Sequence, residues 1–447
     1  MKREGVTVKP GEEVTHEAVG LLSDYIKINT SNPPGNEAEA AKFFAEIFDK
    51  EGIEYKTYES KPGRVSLRAC IKGTGQNKPL ILLNHMDVAP AQSEEWSFDP
   101  FGGEVKDGFI HGRGALDMKS QGIMELLAFL HISRERITPN RDLIFLAVAD
   151  EEEGGTWGVK YLLEHHCDDF QAGLVLNEGG FGVIGLIPNS PLMMISTAEK
   201  GLCWLKLHVS GPPGHGSMPH GENALEKLIQ ALNRLTVADQ PVTVTPIVAE
   251  YFKQLGAAWE FLGPFLKDGQ PETLAQIIQG SGLLAMPPIS AIVRNTISVT
   301  SMNAGAKANV IPTRAEAVLD IRLLPGQDPQ KIIEGVKEKL ADGNIKIESV
   351  SVNRATESPW DTEAFRLIRE VLLAHFPQAI VTPSLLFGSS DSRFFRDRGV
   401  PTYGVCPILV TMDDARMLHG IDEKISVENL TAGTMVFTDL VRRLVTT

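Results

Sequence analysis

Short apolar runs alternating with helix-patterned stretches constrain this chain more than any other feature. Three runs, PLILLNHMDV (79–88), DLIFLAVAD (Asp142–Asp150) and GLVLNEGG (Gly173–Gly180), are short and almost wholly apolar until they end. They read as strands buried on both faces. Around them stand NEAEAAKFFAEIFDKEG (Asn36–Gly52), with apolar residues at helical spacing and a glycine stop, and the helical DMKSQGIMELLAFLHISRE from Asp117. Such alternation implies right-handed crossovers, so the expected fold class is α/β with a mainly parallel, doubly wound sheet. Ligands of such sheets gather at the carboxyl ends of the strands. His85, Asp150 and Glu178 each stand where an apolar run gives way to a loop.

From about Ser196 the pattern changes. CWLKLHVSG alternates like a half-buried antiparallel strand, and the helix NALEKLIQALNRL follows. Then come NTISVTSMNAG, AEAVLDIRLLPG, the helix DPQKIIEGVKEKL and IKIESVSV. This order suits a small α+β sandwich inserted into the larger domain. The expected division is 1–195 and 354–447 for the larger domain and 196–353 for the insert. A chain of 447 residues is also too long for one simple core. The stretch Val237 to Ile292 is rich in Leu, Phe and Ala; it reads as helical packing or as an apolar wall over a substrate cleft, with packing favoured. After about Val352 the α/β pattern resumes with TEAFRLIREVLLAHF and VENLTAGTMVFTDLVRRLV.

With 43 basic against 57 acidic residues the net charge is −14, which argues against nucleic acid or an anionic membrane as partner. MKREGVTVKPGEEV has charges but no apolar core behind them, and no apolar run approaches the roughly 20 residues that span a bilayer. Cys70, Cys167, Cys203 and Cys406 lie far apart with no CxxC pair, as expected of reduced thiols in a cytoplasmic protein.

The chemistry-bearing residues cluster at strand ends: His85 and Asp87, Asp117 in GRGALDMKSQG, the run Asp150-Glu151-Glu152-Glu153, Glu178 in LNEGG, and His419 in MLHGIDEKIS. Alone, a histidine or an acidic run is ordinary. Here the acidic run is anchored directly to a buried strand. Two histidines with several carboxylates and no thiolate make a nitrogen/oxygen site suited to a borderline ion such as Zn²⁺. Gathering carboxylates is costly unless cations offset the repulsion. Five candidates suit two metals sharing a carboxylate, roughly 3.5–4 Å apart in sites of this kind.

The motifs NHMDVAP, GRGALDMK, DEEEGG, LNEGG, GPPGHGSMPHGENAL, NVIP and HGIDEKIS occur in this order. With them the chain resembles the zinc-dependent family of aminoacylase, carnosinase, acetylornithine deacetylase, succinyl-diaminopimelate desuccinylase and glutamate carboxypeptidase. Together SAIVRNTISVTSMNAGAKANVIP and HGIDEKIS are most similar to its carboxypeptidase S and N-acyl-amino-acid hydrolase branch.

The resemblance implies two Zn²⁺ ions, with Co²⁺ or Mn²⁺ as alternatives. His85 and Glu178 would hold one, Glu152 and His419 the other, and Asp117 would bridge them. The carboxylate of Asp87 would accept the second ring N–H of His85 and fix its tautomer. Glu151 would be the general base, taking a proton from water and passing it to the leaving amine. Glu153 extends the acidic run, so a shift by one residue stays open at the level of spacing.

His215, rather than His220, would stabilise the oxyanion in a partner subunit's site, which implies a homodimer joined through CWLKLHVSG as an edge strand or through NALEKLIQALNRL. Asn309 and Arg322 would bind substrate. Gly388, Ser389 and Ser390 would offer backbone N–H groups to its carboxylate, although many members carry Gly-Gly-Thr there. The implied activity is amide hydrolysis of an N-acyl amino acid or short peptide with a free carboxylate. A dipeptidase or carboxypeptidase is the alternative reading. A catalytically silent homologue would have lost a ligand or the base, and all six residues are present.

Overall fold

The computed structural model describes residues 12–236, 240–256, 263–266, 269–340 and 345–447. Its largest sheet has eleven strands, and the expected apolar runs lie at its centre. Leu80–His85 pairs in parallel with Leu143–Val148 on one side and Leu174–Asn177 on the other. Thr402–Gly404 adds in parallel to Leu174–Asn177. Every residue of Leu80–His85, Leu143–Val148 and Leu174–Asn177 is buried, which is why these strands read as unbroken apolar runs. Antiparallel strands close the sheet on both sides, Tyr55–Lys61 and Arg64–Ile71 at one edge and Gly182–Ile187 beside Ser190–Glu199 towards the other.

Helices cover both faces. Glu12–Ile26, Glu37–Glu51, Lys119–Arg134, Glu363–His375 and Val427–Thr446 contribute to one continuous core with Leu80, Leu82, Phe145 and Leu176. On the opposite face Tyr161–His165 packs on Ile81, Ile144 and Leu146. The expected doubly wound α/β architecture is therefore present. Among the described residues no helix is long and apolar enough to cross a membrane.

A second sheet holds four antiparallel strands in the order Thr296–Ala304, Arg314–Leu323, Gly201–Ser210, Lys346–Asn353. Helices Ala224–Thr236 and Pro329–Leu340 cover one of its faces. Alternate residues of Gly201–Ser210 are buried, as the sequence pattern demands. That strand is central and not an edge. The edges are Thr296–Ala304 and Lys346–Asn353, so CWLKLHVSG cannot pair with a second chain as expected.

Two details depart from the simple inserted sandwich. The boundary expected at 195/196 falls inside Ser190–Glu199, which stays in the large sheet through Glu199. The apolar stretch after the first helix of the insert forms helices Pro246–Gly256, Pro271–Gly280 and Pro287–Val293. These bury Ile247, Phe252, Leu274 and Val293 against Ile187, Leu192 and Leu385 of the large sheet. The stretch is helical packing, and it packs on the larger domain; its positions 237–239, 257–262 and 267–268 lie outside the described residues.

Candidate metal centre

The parallel strands deliver their terminal residues to one cleft. His85 closes its strand, Glu178 follows Leu174–Asn177, and Asp150 to Glu153 follow Leu143–Val148. Asp117 stands two residues before helix Lys119–Arg134, and His419 lies in the turn before strand Lys424–Ser426. These elements are far apart in sequence, yet two groups of donors form. In His85, Glu151 and Glu178 one ligand atom of each lies within 4.8 Å of the others, and the same holds for Asp117, Glu152 and His419.

Asp117 joins the two groups. Its Oδ1 is 3.2 Å from His85 Nε2 and its Oδ2 is 3.1 Å from His419 Nε2. His85 Nε2 is also 3.8 Å from Glu178 Oε2, and His419 Nε2 is 3.2 Å from Glu152 Oε2. The five residues expected as ligands are thus brought together, with Glu151 alongside His85 and Glu178.

Electrostatics fits the donor set to cations. Burial and the nearby Asp117 push the Glu178 carboxyl up to about 8, although His85 opposes this. Burial and Glu178 push Glu151 well above the usual carboxylate range. Hydrogen bonds to Asp117 and Glu152 hold the His419 ring up at about 10. Burial opposes a charge on His85, but the Asp117 and Asp87 carboxylates outweigh it and raise the ring well above its usual value. The surrounding carboxylates thus favour positive charge on both rings. Oε1 of Glu152 is buried without a partner. Divalent ions between the groups would replace the ring protons and satisfy the free lone pairs.

Asp87 takes a role different from the expected one. His85 Nδ1 donates to the main-chain oxygen of Asp87 at 2.8 Å, whereas the Asp87 carboxylate is 3.6 Å away. The carbonyl, not the carboxylate, fixes the tautomer and frees Nε2 for a metal. The carboxylate instead accepts from the backbone N–H of Glu151 at 3.1 Å, from that of Glu152 at 3.0 Å and from Asn32 Nδ2 at 2.8 Å. It shapes the turn that separates the expected base from the neighbouring ligand. Asp150, at φ +73°, helps by accepting from the backbone N–H of Trp157 at 2.8 Å.

Several positioning residues went unnoticed in the sequence. Glu423 is fully buried and accepts from the backbone N–H groups of Leu116 (2.7 Å) and Asp117 (3.1 Å) and from Arg113 (2.7 Å). Arg113 in turn donates to Gly420 O at 2.9 Å, so one buried ion pair sets both the Asp117 loop and the His419 turn. Glu423 lies inside the motif HGIDEKIS, four residues after His419, and that was its only signal. Asp391 is 1 % exposed, neither carboxylate oxygen has a partner, and burial pushes it up to about 7.

The other expected site residues lie outside this cluster. His215 is exposed on the two-residue strand Gly214–His215, paired with Val310–Ile311, and its Nδ1 is 2.7 Å from Ser217 Oγ. Asn309 is adjacent, its carbonyl accepting from Gly216 N at 2.9 Å. His220 has a buried Nε2 without a partner. Among the described residues none of the three bonds to the acidic cluster in the single chain. Arg322 does not present a free fork: it is bidentate to Asp320 of its own strand, at 2.8 and 3.2 Å. Ser390 donates both its backbone N–H (2.6 Å) and its hydroxyl (3.1 Å) to buried Glu199, so its amide is turned away from any substrate. Ser389 Oγ accepts from Arg393 at 2.9 Å, while the space beside Gly388 is open.

The sequence model of peptidase family M20/M25/M40 matches residues 81–443, spanning all six clustered donors. The chain belongs to that family. It is 32% identical over 358 residues to the N-fatty-acyl-amino acid synthase/hydrolase PM20D1 of Homo sapiens, covering 78% of this chain and 71% of that protein. It is 29% identical over 368 residues to the probable carboxypeptidase S-like 2 of Dictyostelium discoideum, covering 79% and 69%. The fold superposes on the M20 family metallo-carboxypeptidase Sso-CP2 of Sulfolobus solfataricus with a TM-score of 0.74 at 20% identity, over 97% of this chain and 99% of that one. This M20 chain is a hydrolase with two groups of candidate metal donors.

Proposed function

We propose that the chain hydrolyses the amide bond of an N-acyl amino acid with a free carboxylate, using two Zn²⁺ ions. The observation that carries this reading is the pair of three-residue donor groups joined through the two oxygens of Asp117. His85 and Glu178 would hold one ion, Glu152 and His419 the other, with Asp117 contributing to both. When bound, such ions polarise the scissile carbonyl and lower the pKa of a water toward about 7.

Glu151 is the general base. It belongs to the His85–Glu178 group and its backbone N–H donates to Asp87, so its carboxylate would stand beside a water held in this cluster. It would accept a proton from that water and deliver it to the leaving amine nitrogen.

Asn309, Arg322 and the Gly388–Ser389 turn are assigned to the substrate carboxylate. Arg322 is neutralised by Asp320 in the free chain, so a substrate carboxylate must displace Asp320 to gain the fork. His215 is assigned to the oxyanion in a partner subunit's site, since it is exposed and free of the acidic cluster in the single chain. A homodimer follows from that role. The human relative, an N-fatty-acyl-amino acid synthase/hydrolase, favours an acyl substrate over a peptide. The carboxypeptidase reading rests on the Dictyostelium relative and shares every chemical step.

The test is Glu151→Gln, assayed on a panel of N-acyl amino acids and dipeptides with metal content measured in parallel. The expected variant keeps two ions per chain and loses hydrolysis. Turnover at the wild-type rate would remove Glu151 from the mechanism.

A further inference from the structure

Glu199 and Lys200 are consecutive charged residues, each 1 % exposed, where strand Ser190–Glu199 of the large sheet becomes strand Gly201–Ser210 of the small one. Each holds a different crossing between the two sheets. Lys200 Nζ donates to Ala291 O at 3.0 Å, Arg294 O at 2.8 Å and Thr296 Oγ1 at 3.3 Å, where the packed helices lead into strand Thr296–Ala304. Glu199 Oε1 accepts from Thr356 Oγ1 at 2.9 Å, on the segment returning from strand Lys346–Asn353. Gly201 sits so close to that segment that a Cβ there would lie 2.6 Å from Ala355 N and 2.7 Å from Asn353 O. Three chain crossings therefore meet at one buried point, with Arg396 as counter-charge 3.4 Å from Glu199.

The other oxygen of Glu199, Oε2, is held by Ser390 and accepts both of its bonds. Arg393 donates to Ser390 O at 2.7 Å and, through its second nitrogen, to Gly154 O at 2.8 Å. Gly154 N donates to Glu151 O at 2.8 Å, closing the acidic turn. A continuous run of hydrogen bonds thus leads from the crossing point to the backbone of Glu151, and each of its side chains is buried or nearly so.

We propose that Glu199 is a positioning residue for the general base, acting through Ser390, Arg393 and Gly154, so that the placement of Glu151 depends on how the small sheet is set against the large one. The proposal rests on the reading of Glu151 as base. The crossing that Glu199 grips through Thr356 is one of the three that set the small sheet against the large one. A change in that setting would move the same carboxylate that holds Ser390. The base is therefore best placed in one orientation of the small sheet, and turnover is tied to it.

The experiment compares Glu199→Gln, Thr356→Val, Arg393→Lys and the double variant of Glu199→Gln with Arg393→Lys, all metal-loaded, by kcat, KM and ions bound per chain. Outer-sphere partners of metal centres typically change activity about 10–100-fold. The expected result is a kcat lowered about tenfold or more in Glu199→Gln, with KM within about twofold and two ions retained. Thr356→Val, which leaves Ser390 untouched, should lower kcat in the same direction. The double variant should lose no more than its worse parent, because both changes cut one path. A merely structural role would lower the melting temperature while each metal-loaded chain turned over at the wild-type kcat, and that result overturns the proposal. If Glu199→Gln does not fold, Thr356→Val and Arg393→Lys carry the same comparison. Glu151→Gln run alongside separates the two readings. An inactive Glu151→Gln with a wild-type kcat in Glu199→Gln removes only the positioning role, whereas an active Glu151→Gln removes both.

Discussion

Replacing Asp87 by asparagine tests how the acidic turn is built. The carboxylate accepts three hydrogen bonds, two on Oδ2 from Glu152 N and Asn32 Nδ2 and one on Oδ1 from Glu151 N. An asparagine can keep its oxygen at the Oδ2 position and retain two of them. Its amide nitrogen then faces the Glu151 N–H, donor against donor, at a distance that was 3.1 Å. A buried N–H without an acceptor costs about 1–3 kcal/mol, and exchanging a charged acceptor for a neutral one costs about 0.5–1.5 kcal/mol for each bond kept. Asp87→Asn should therefore lower stability by about 2–6 kcal/mol, read as a drop in denaturation midpoint. The turn would relax by moving Glu151, so kcat should fall about 10–100-fold. His85 should still bind metal, because its Nδ1 is held by the Asp87 main chain, which the substitution leaves in place. The assay is kcat per metal-loaded chain together with thermal melting. A variant that melts and turns over like the wild type would refute this account of the turn. One that loses its metal first would return the expected carboxylate–histidine contact to Asp87.

The remaining predictions concern protons, metal and packing. In the metal-free protein Glu178 titrates near 8 and His419 near 10, both above their ordinary values, so the folded chain binds more protons than the unfolded one across that window. Stability of the metal-free protein should therefore fall as pH rises from about 5 to 10, while metal affinity rises because fewer protons must be displaced. Melting with and without chelator across that range should show a widening gap, and a constant gap would contradict the assignment of these groups as ligands. Glu423→Gln should weaken the ion pair with Arg113 and loosen both the Asp117 loop and the His419 turn. Metal affinity should drop about 10–100-fold by titration, against no change if Glu423 is a bystander. Gly155→Ala should destabilise the fold by more than about 1 kcal/mol, because Gly155 has φ +66° and a Cβ there would lie 2.3 Å from Asp391 Oδ1. A melting temperature equal to wild type would show that the turn yields.

Much of the candidate site was legible in sequence because His85, Glu152 and Glu178 close or follow fully buried strands. A histidine or glutamate at the end of an all-apolar run has no structural reason to be there, and His85 and Glu178 announce themselves in that way. His419 and Asp117 sit on loops and became legible only through ordered motifs, since nothing in local periodicity marks them. Asp87 was found but given the wrong atom: a sequence shows that two polar residues lie close in the chain, not whether the carbonyl or the carboxylate turns toward the ring. The strand Gly201–Ser210 likewise read correctly as half-buried, but alternation reports one covered face and is silent on which strands lie alongside.

The sequence by itself determined the α/β class, the buried central strands and the donor types, because these follow from short-range periodicity and from the chemistry of individual side chains. The tertiary structure alone decided which donors face one another, which carboxylates accept from the backbone, and where the helices of 246–293 pack. Glu423, Glu199 and Arg393 act across separations of 191 to 310 residues. Their partners are chosen by the closing of the sheet and the meeting of its crossings, and no pattern within one segment encodes that geometry.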